Sequence, residues 1–277
     1  MTDMEYKKTQ GHESGIEVFR QIDHDYGPRV RILNDPYSFT LLAALSDKNT
    51  SQPAVNHLIK MLYRVLFHVA VSEHLPLTDT QVETRLIDAN PEAVWQGPVA
   101  KKDTRVVVAA LARAGLLPAG LFYDNLNLIL EPANVRRDHF MINRETDKAG
   151  KVTGACISGC KIGGDIENTV LFIPDPMGAT GSSILEVLRC YERKESGRPQ
   201  RVVLLHLIVT PEYLKALLEA YPSVHIVSLR LDRGLSPRDV LLERPGKRWS
   251  EEKGLNENHY IIPGIGGLGE MMNNSWV

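Results

Sequence analysis

Phe172-Ile173-Pro174-Asp175-Pro176-Met177-Gly178-Ala179-Thr180-Gly181-Ser182-Ser183 is the stretch on which the fold reading turns. An apolar, β-branched run over residues 169–173 closes on an acidic residue. Small and hydroxylated residues follow, and residues 183–188 take up an apolar helical pattern. Open α/β sheets place their ligands at the carboxyl ends of such strands. The backbone N–H groups of a small-residue loop converge on a single anion, reinforced by the N-terminus of the next helix. Thr180, Ser182 and Ser183 add hydroxyl donors, and the Asp175 carboxylate suits two sugar hydroxyls. The acid precedes the cradle and no Gly-Lys-Ser/Thr is present, so this is not a P-loop; nor does Gly-x-Gly-x-x-Gly follow the strand. The plain alternative is a Gly/Ser turn that joins strand to helix.

Outward from this loop, strands are predicted over residues 105–110, 139–142, 202–209 and 225–231. Helices are predicted over 55–75, 114–123 and 211–220. The first rests on Leu58, Met61, Leu62, Leu66, Val69 and Ala70 at helical spacing, the last on Thr210 as cap with Pro211 in the first turn. Strand and helix alternate as in right-handed crossover units, which predicts an α/β fold with a parallel sheet and flanking helices. Residues 1–33 are polar and aperiodic and are read as an N-terminal arm. Residues 34–277 are read as one domain with an insertion over about 234–254, of a length that suits a functional loop or lid.

The 277 residues, 43% of them hydrophobic, suffice for a core without staples. A net charge of −2 offers no bulk basic field for nucleic acid. Three cysteines, an odd number, give no disulfide framework and fit a reducing compartment. No apolar run reaches the roughly 18 residues of a membrane span, and residues 1–8 lack a secretory core, so a cytoplasmic location is expected. Cys156 and Cys160 have no second pair, so no metal site of protein ligands is expected and buried thiols are the better reading. His206, inside an apolar strand, reads as a satisfied core residue.

The order Asp-Pro-Met-x-Ala-Thr-Gly-x-Ser from residue 175 resembles the phosphoribosyl-diphosphate (PRPP) loop of the uracil phosphoribosyltransferases, a branch of the type I phosphoribosyltransferases. Residues 255–269, Leu-Asn-Glu-Asn-His-Tyr-Ile-Ile-Pro-Gly-Ile-Gly-Gly-Leu-Gly, resemble that family's uracil-binding segment. Leu45-Ser46-Asp47-Lys48-Asn49-Thr50 and Ala112-Arg113-Ala114-Gly115-Leu116 are similar to its early Leu-Arg-Asp-Lys-Asn-Thr and its Leu-Arg-Ala-Gly-Leu turn. The resemblance implies conversion of uracil and PRPP to UMP and diphosphate, a pyrimidine salvage step, with Mg²⁺ as cofactor and a homodimer or higher homo-oligomer as assembly. By the same resemblance, Asp175, Pro176, Met177, Gly178, Ala179, Thr180, Gly181, Ser182 and Ser183 hold the ribose and 5-phosphate. Arg113 meets the diphosphate, Arg144 is the second arginine ahead of Arg136 and Arg137, and Arg113, Arg144 and Asp175 form the catalytic set. Ile261 and the backbone of Gly266, Gly267 and Leu268 contact uracil. The chemistry agrees: an oxocarbenium-like transition state needs a stabilised departing diphosphate, which arginines and a divalent cation provide.

The chain departs from the family pattern at several places. Gly178 replaces leucine, Ser182 replaces glycine, Ser46 replaces arginine, His259 replaces glycine, and Gly267 replaces aspartate. Ser182 would crowd the cradle if its position needs positive φ. Restored activity in Gly267→Asp would mark the missing acid as limiting. The readings left open are a PRPP- or UMP-binding regulator on the same fold and an enzyme for another base.

Overall fold

A strand that is apolar on every residue has to be covered on both faces. The computed structural model, which describes residues 19–146 and 152–276, does this at the centre of its main sheet, where Val106–Ala112, Val170–Pro174 and Arg201–Val209 are buried along nearly their whole length. The strands are β1 (Val30–Ile32), β4 (Val106–Ala112), β5 (Val135–Thr146), β6 (Val152–Lys161), β7 (Val170–Pro174), β9 (Arg201–Val209) and β10 (His225–Leu231), in the spatial order β1-β10-β9-β7-β4-β5-β6. All neighbours are parallel except β5 and β6. A short β8 (Met177–Gly178) adds to β9, and β2 (Leu77–Glu83) with β3 (Val94–Ala100) forms a separate antiparallel hairpin.

Alternate residues divide the core. Val106, Val108, Ala110, Phe172 and Leu205 face α1 (Pro36–Ser46), α2 (Ala54–His74), α3 (Leu116–Ile129) and α7 (Leu268–Asn273). Val107, Ala109, Leu111, Leu171, Ile173 and Leu204 face α4 (Ser182–Arg193) and α5 (Pro211–Ala220). The predicted α/β architecture holds. Thr210 caps α5 as expected, its hydroxyl accepting from the Tyr213 N–H at 3.0 Å.

The differences have local causes. β5 runs for 12 residues, well beyond 139–142, because β6 pairs with it as a hairpin. β6, rich in Gly, Ser and Cys, sits at a sheet edge and carries no apolar run. The β2–β3 hairpin exposes Thr78, Asp79 and Gln81 alongside Leu77 and Val82, so it has no period to read. Residues 20–33, assigned to the arm, lie along the body: Gln21 bridges to Leu33, and β1 is the sheet's outer parallel strand. The earlier part of the arm, residues 1–18, lies outside the described residues. No described helix is long and apolar enough to cross a membrane.

The insertion over 234–254 is bonded to the body of the protein. It contains α6 (Arg238–Leu241) and a 3₁₀ turn, Trp249–Glu251. Arg233 donates to the carbonyls of Val240, Leu241 and Glu243 and to Glu252 Oε1 at 2.8 Å. The Glu252 carboxylate also accepts from the Gly246 N–H and the Tyr26 hydroxyl. Its side chain is 0% exposed, so its charge depends on Arg233. Arg233→Ala leaves that charge buried and uncompensated. The expected loss is roughly 3–5 kcal/mol of stability in a urea titration; an unchanged midpoint would mean the insertion is not held this way.

Candidate active site

Sheet order reverses beside β4: the chain steps from β4 to β5 on one side, while β7 and then β9 lie on the other. Such a switch point opens a crevice at the carboxyl ends of its strands. Arg113 follows β4 and Asp175 follows β7, so these sequence-selected residues flank it.

In the loop after β7 the carbonyls are committed. The Pro176 carbonyl accepts from the N–H groups of Leu207 and Ile208, the Gly178 carbonyl from the Thr210 N–H, and the Ala179 carbonyl from the Thr210 hydroxyl at 2.7 Å. The Asp175 carbonyl lies 2.5 Å from His206 Nδ1. His206 is fully buried, and burial lowers its pKa to about 4, so the ring is neutral. A carbonyl only accepts, so Nδ1 carries the proton and Nε2 accepts from the Tyr213 hydroxyl at 2.6 Å. The N–H groups of Thr180 and Gly181, by contrast, meet no acceptor among the described residues. They stand ahead of α4, where an anion gains from converging N–H groups.

Gly181 is required twice over. Its φ is +86°, and a Cβ there would lie 2.3 Å from Leu217 Cδ2. Ser182 is the first residue of α4 and avoids the left-handed region, so serine is not strained there. Its hydroxyl lies 3.0 Å from that of Thr180. At Gly178 a Cβ would meet Val209 Cγ1 at 2.9 Å and the Tyr213 ring at 3.1 Å. The tyrosine takes the space a larger residue would need.

Asp175 keeps only a partial opening to solvent, and burial raises its pKa to about 7. Among the described residues no donor reaches its carboxylate. Across the crevice, Arg113 Nη1 donates to the carbonyl and hydroxyl of Ser275, both at 3.1 Å, and Nη2 lies 3.5 Å from Glu270 Oε1. Arg144 lies beyond Met141, the last β5 residue paired with β4, and faces Ala155 across the β5–β6 hairpin. Arg136 and Arg137 have other work: Arg136 pairs with Asp138 and binds the carbonyls of Gly164 and Asp165, and Arg137 lies 5.2 Å over the Tyr123 ring.

The segment from residue 254 onward is held by carboxylates. Glu212, in the first turn of α5, accepts from the N–H groups of Gly254 and Leu255. Asp232 accepts from the Gly264 N–H, and Arg230 donates to the Gly264 carbonyl at 3.1 Å and to Ser46 Oγ at 3.2 Å. Ile261 and Leu268 are 5% and 2% exposed, packed with Leu255 and Ile265. Their side chains belong to the core, so only their backbone can meet a ligand. Gly266 has φ +80° and open space around it. Thr210, Glu212 and Tyr213 looked in the sequence like an ordinary helix start; only the folded contacts give them a role at the site.

Residues 32–246 match the family model described as uracil phosphoribosyltransferase. The chain belongs to the uracil phosphoribosyltransferase family. Among its relatives, the uracil phosphoribosyltransferase of Listeria innocua is 28% identical over 245 residues, covering 88% of this chain and 97% of that protein. That of Thermococcus gammatolerans is 26% identical over 237 residues, covering 86% and 89%. The AQ2163 protein from Aquifex aeolicus has the same fold, with a TM-score of 0.65 at 22% identity over 90% of this chain and 99% of its own. The family match stops short of the 255–269 segment.

The relay under the loop can be checked by denaturation. Tyr213→Phe leaves His206 Nε2 buried with no donor, and the expected loss is roughly 1–3 kcal/mol of stability. A variant as stable as the parent would show that the hydroxyl does not hold His206.

Proposed function

We propose that the protein transfers the 5-phosphoribosyl group of PRPP to uracil, giving UMP and diphosphate, a salvage step. The observation that carries this reading is the pairing of a half-buried Asp175 carboxylate, unpartnered among the described residues, with free N–H groups at Thr180 and Gly181, at the sheet's switch point. Family membership supports the same reaction.

In this reading the N–H groups of Thr180 and Gly181 and the hydroxyls of Ser182 and Ser183 take the 5-phosphate. Asp175 accepts from the ribose hydroxyls. Arg113 and Arg144 serve the departing diphosphate, where fixed positive charge stabilises the transition state. Among the described residues no three His, Cys, Asp or Glu side chains gather as a metal site. In this reading Mg²⁺ would be carried mainly by the substrate's diphosphate, where it would offset the charge of the leaving group. The backbone of Ile261, Gly266, Gly267 and Leu268 reads the lactam edges of uracil. Backbone groups suit a small planar base, because glycines let the chain approach closely.

The test is direct. Purified protein with Mg²⁺, PRPP and uracil should form UMP, followed by chromatography. No UMP from a pure, folded preparation overturns the reading, and PRPP binding without product would point to a regulator on the same fold.

Asp175 adds a pH signature. Its carboxylate titrates near pH 7 in the free protein because burial disfavours the charge. Ribose hydroxyls donate more strongly to the ionised form, which offers both oxygens as acceptors, so they lower this pKa in the complex. PRPP affinity should thus be full above pH 7 and fall as pH drops through it, by up to roughly tenfold per unit. Asp175→Asn should bind PRPP more weakly at neutral pH and unfold at higher temperature, since a desolvated carboxylate without a donor is gone. Its affinity should lose the extra pH dependence, leaving only the substrate's own titration. Calorimetric Kd values for both proteins between pH 6 and 8 measure this; matching profiles would remove Asp175 from the sugar site.

A further inference from the structure

Cys156 and Cys160 stand at C-x3-C spacing in the sequence, but the fold separates them. Residues four apart on a regular strand share a face. In β6 the register slips: Met141 pairs with Gly159 and Ile142 with Ile157, so Ser158 is an extra residue opposite β5. The bulge turns Cys160 to the same side as Ile157, and both pack into the layer that holds α4. Cys156 belongs to neither apolar layer.

The thiol that Cys160 meets is that of Cys190, near the end of α4. Their Sγ atoms lie 3.9 Å apart, with Cys190 donating. Cys190 is 5% exposed, whereas Cys160 is half-buried, so Cys160 is the sulfur that a reagent reaches first. Burial pushes the Cys190 thiol up, and its hydrogen bond to Cys160 adds to this, so Cys190 keeps its proton at neutral pH. The helix fixes its position: adjacent Tyr191 donates to Asp138 Oδ2 at 2.9 Å and stands edge-on to the Phe140 ring at 5.3 Å. β6 is the outermost strand and pairs on one side only, with β5. A thiol on a fixed helix thus faces a thiol on a bulged edge strand. A disulfide requires the sulfurs to close by about 2 Å, and the strand with a free edge is the one with room to move.

We propose that Cys160 and Cys190 form a redox-modification site, which a peroxide converts to a disulfide that fastens the β5–β6 hairpin to α4. The Cys160 sulfur attacks one oxygen of hydrogen peroxide. An S–O bond forms, the O–O bond breaks, and the other oxygen leaves as water with the thiol proton. The Cys190 sulfur then attacks that of Cys160. The S–S bond forms, the S–O bond breaks, and the hydroxyl leaves as a second water with the Cys190 proton. Two thiols together give up two electrons, and one peroxide becomes two waters. In a reducing compartment such a bond is transient, because thiols of the surroundings reopen it. It joins the strand that faces Arg144 to the helix that begins at the loop of residues 175–183. The site lies outside the crevice and does not depend on which reaction the crevice performs.

The full-length protein and its Cys156→Ser and Cys160→Ser variants test the proposal. Each is treated with a small molar excess of hydrogen peroxide, blocked with N-ethylmaleimide, digested without reductant and read by mass spectrometry. The parent and Cys156→Ser should yield peptides joined through Cys160 and Cys190, and dithiothreitol should separate them. Cys160→Ser should yield no such pair and leave Cys190 as a free thiol. Hydrogen exchange is then compared between oxidised and reduced Cys156→Ser. The β6 amides should exchange more slowly in the oxidised form, by roughly threefold or more. Absence of the Cys160–Cys190 peptide from the parent, a disulfide made only through Cys156, or equal exchange in β6 before and after oxidation overturns the proposal.

Discussion

Every peptide group has a donor end and an acceptor end, and in the loop after β7 the two are sorted. The carbonyls of Asp175, Pro176, Gly178 and Ala179 are bound to His206, Leu207, Ile208 and Thr210. That leaves donors, not acceptors, at the mouth of the crevice. The neutral His206 ring completes the set: it spends its single proton on the Asp175 carbonyl and takes one from Tyr213. A protonated ring would place a second donor against the Tyr213 hydroxyl and a charge in the apolar layer between β9 and α5. Burial prevents this by lowering the ring's pKa.

The same environment sets the electrostatics. The desolvation that keeps His206 neutral also destabilises the Asp175 carboxylate, which lies on the same loop with no donor. The protein thus carries a half-buried acid to which no donor among the described residues is bound. With a net charge of −2, nothing on the surface attracts an anion in bulk. The groups at the crevice have fixed supports: Thr210 for the loop, Glu212 and Asp232 for the final segment, Ser275 and Glu270 for Arg113.

What was legible in the sequence followed from physics that acts along the chain. Runs such as residues 202–209 identify buried parallel strands because both faces need apolar cover. Thr210-Pro211 identifies a helix start because a hydroxyl and a fixed φ are local requirements. The acid-then-small-residue order of 175–183 marked a strand end followed by a helix start, which is where the loop lies. Illegible were features decided across the fold. The β2–β3 hairpin has polar residues on both faces, β6 is an edge strand without an apolar run, and the role of His206 depends on Tyr213 and Asp175. Residues 20–33 looked like an arm because three-residue β1 is too short to show a period.

The departures from the family pattern carry a further lesson, because a motif is compared one position at a time while space is filled by pairs. Gly178 looks like a loss until the Tyr213 ring is seen where a side chain would go. Ser46 looks like a missing cation, yet its hydroxyl accepts from the guanidinium of Arg230. His259 is the instructive remainder: it takes φ +60° where the family pattern has glycine, a conformation that costs an ordinary residue about 1 kcal/mol or more. The turn is held by Asn256, whose side chain accepts from the N–H groups of Asn258 and Tyr260 and whose carbonyl accepts from that of His259. A turn so closely bonded keeps its shape although one residue in it is strained. At each of these positions the departure from the family pattern is met by another residue of the same chain, which a comparison of single positions does not show.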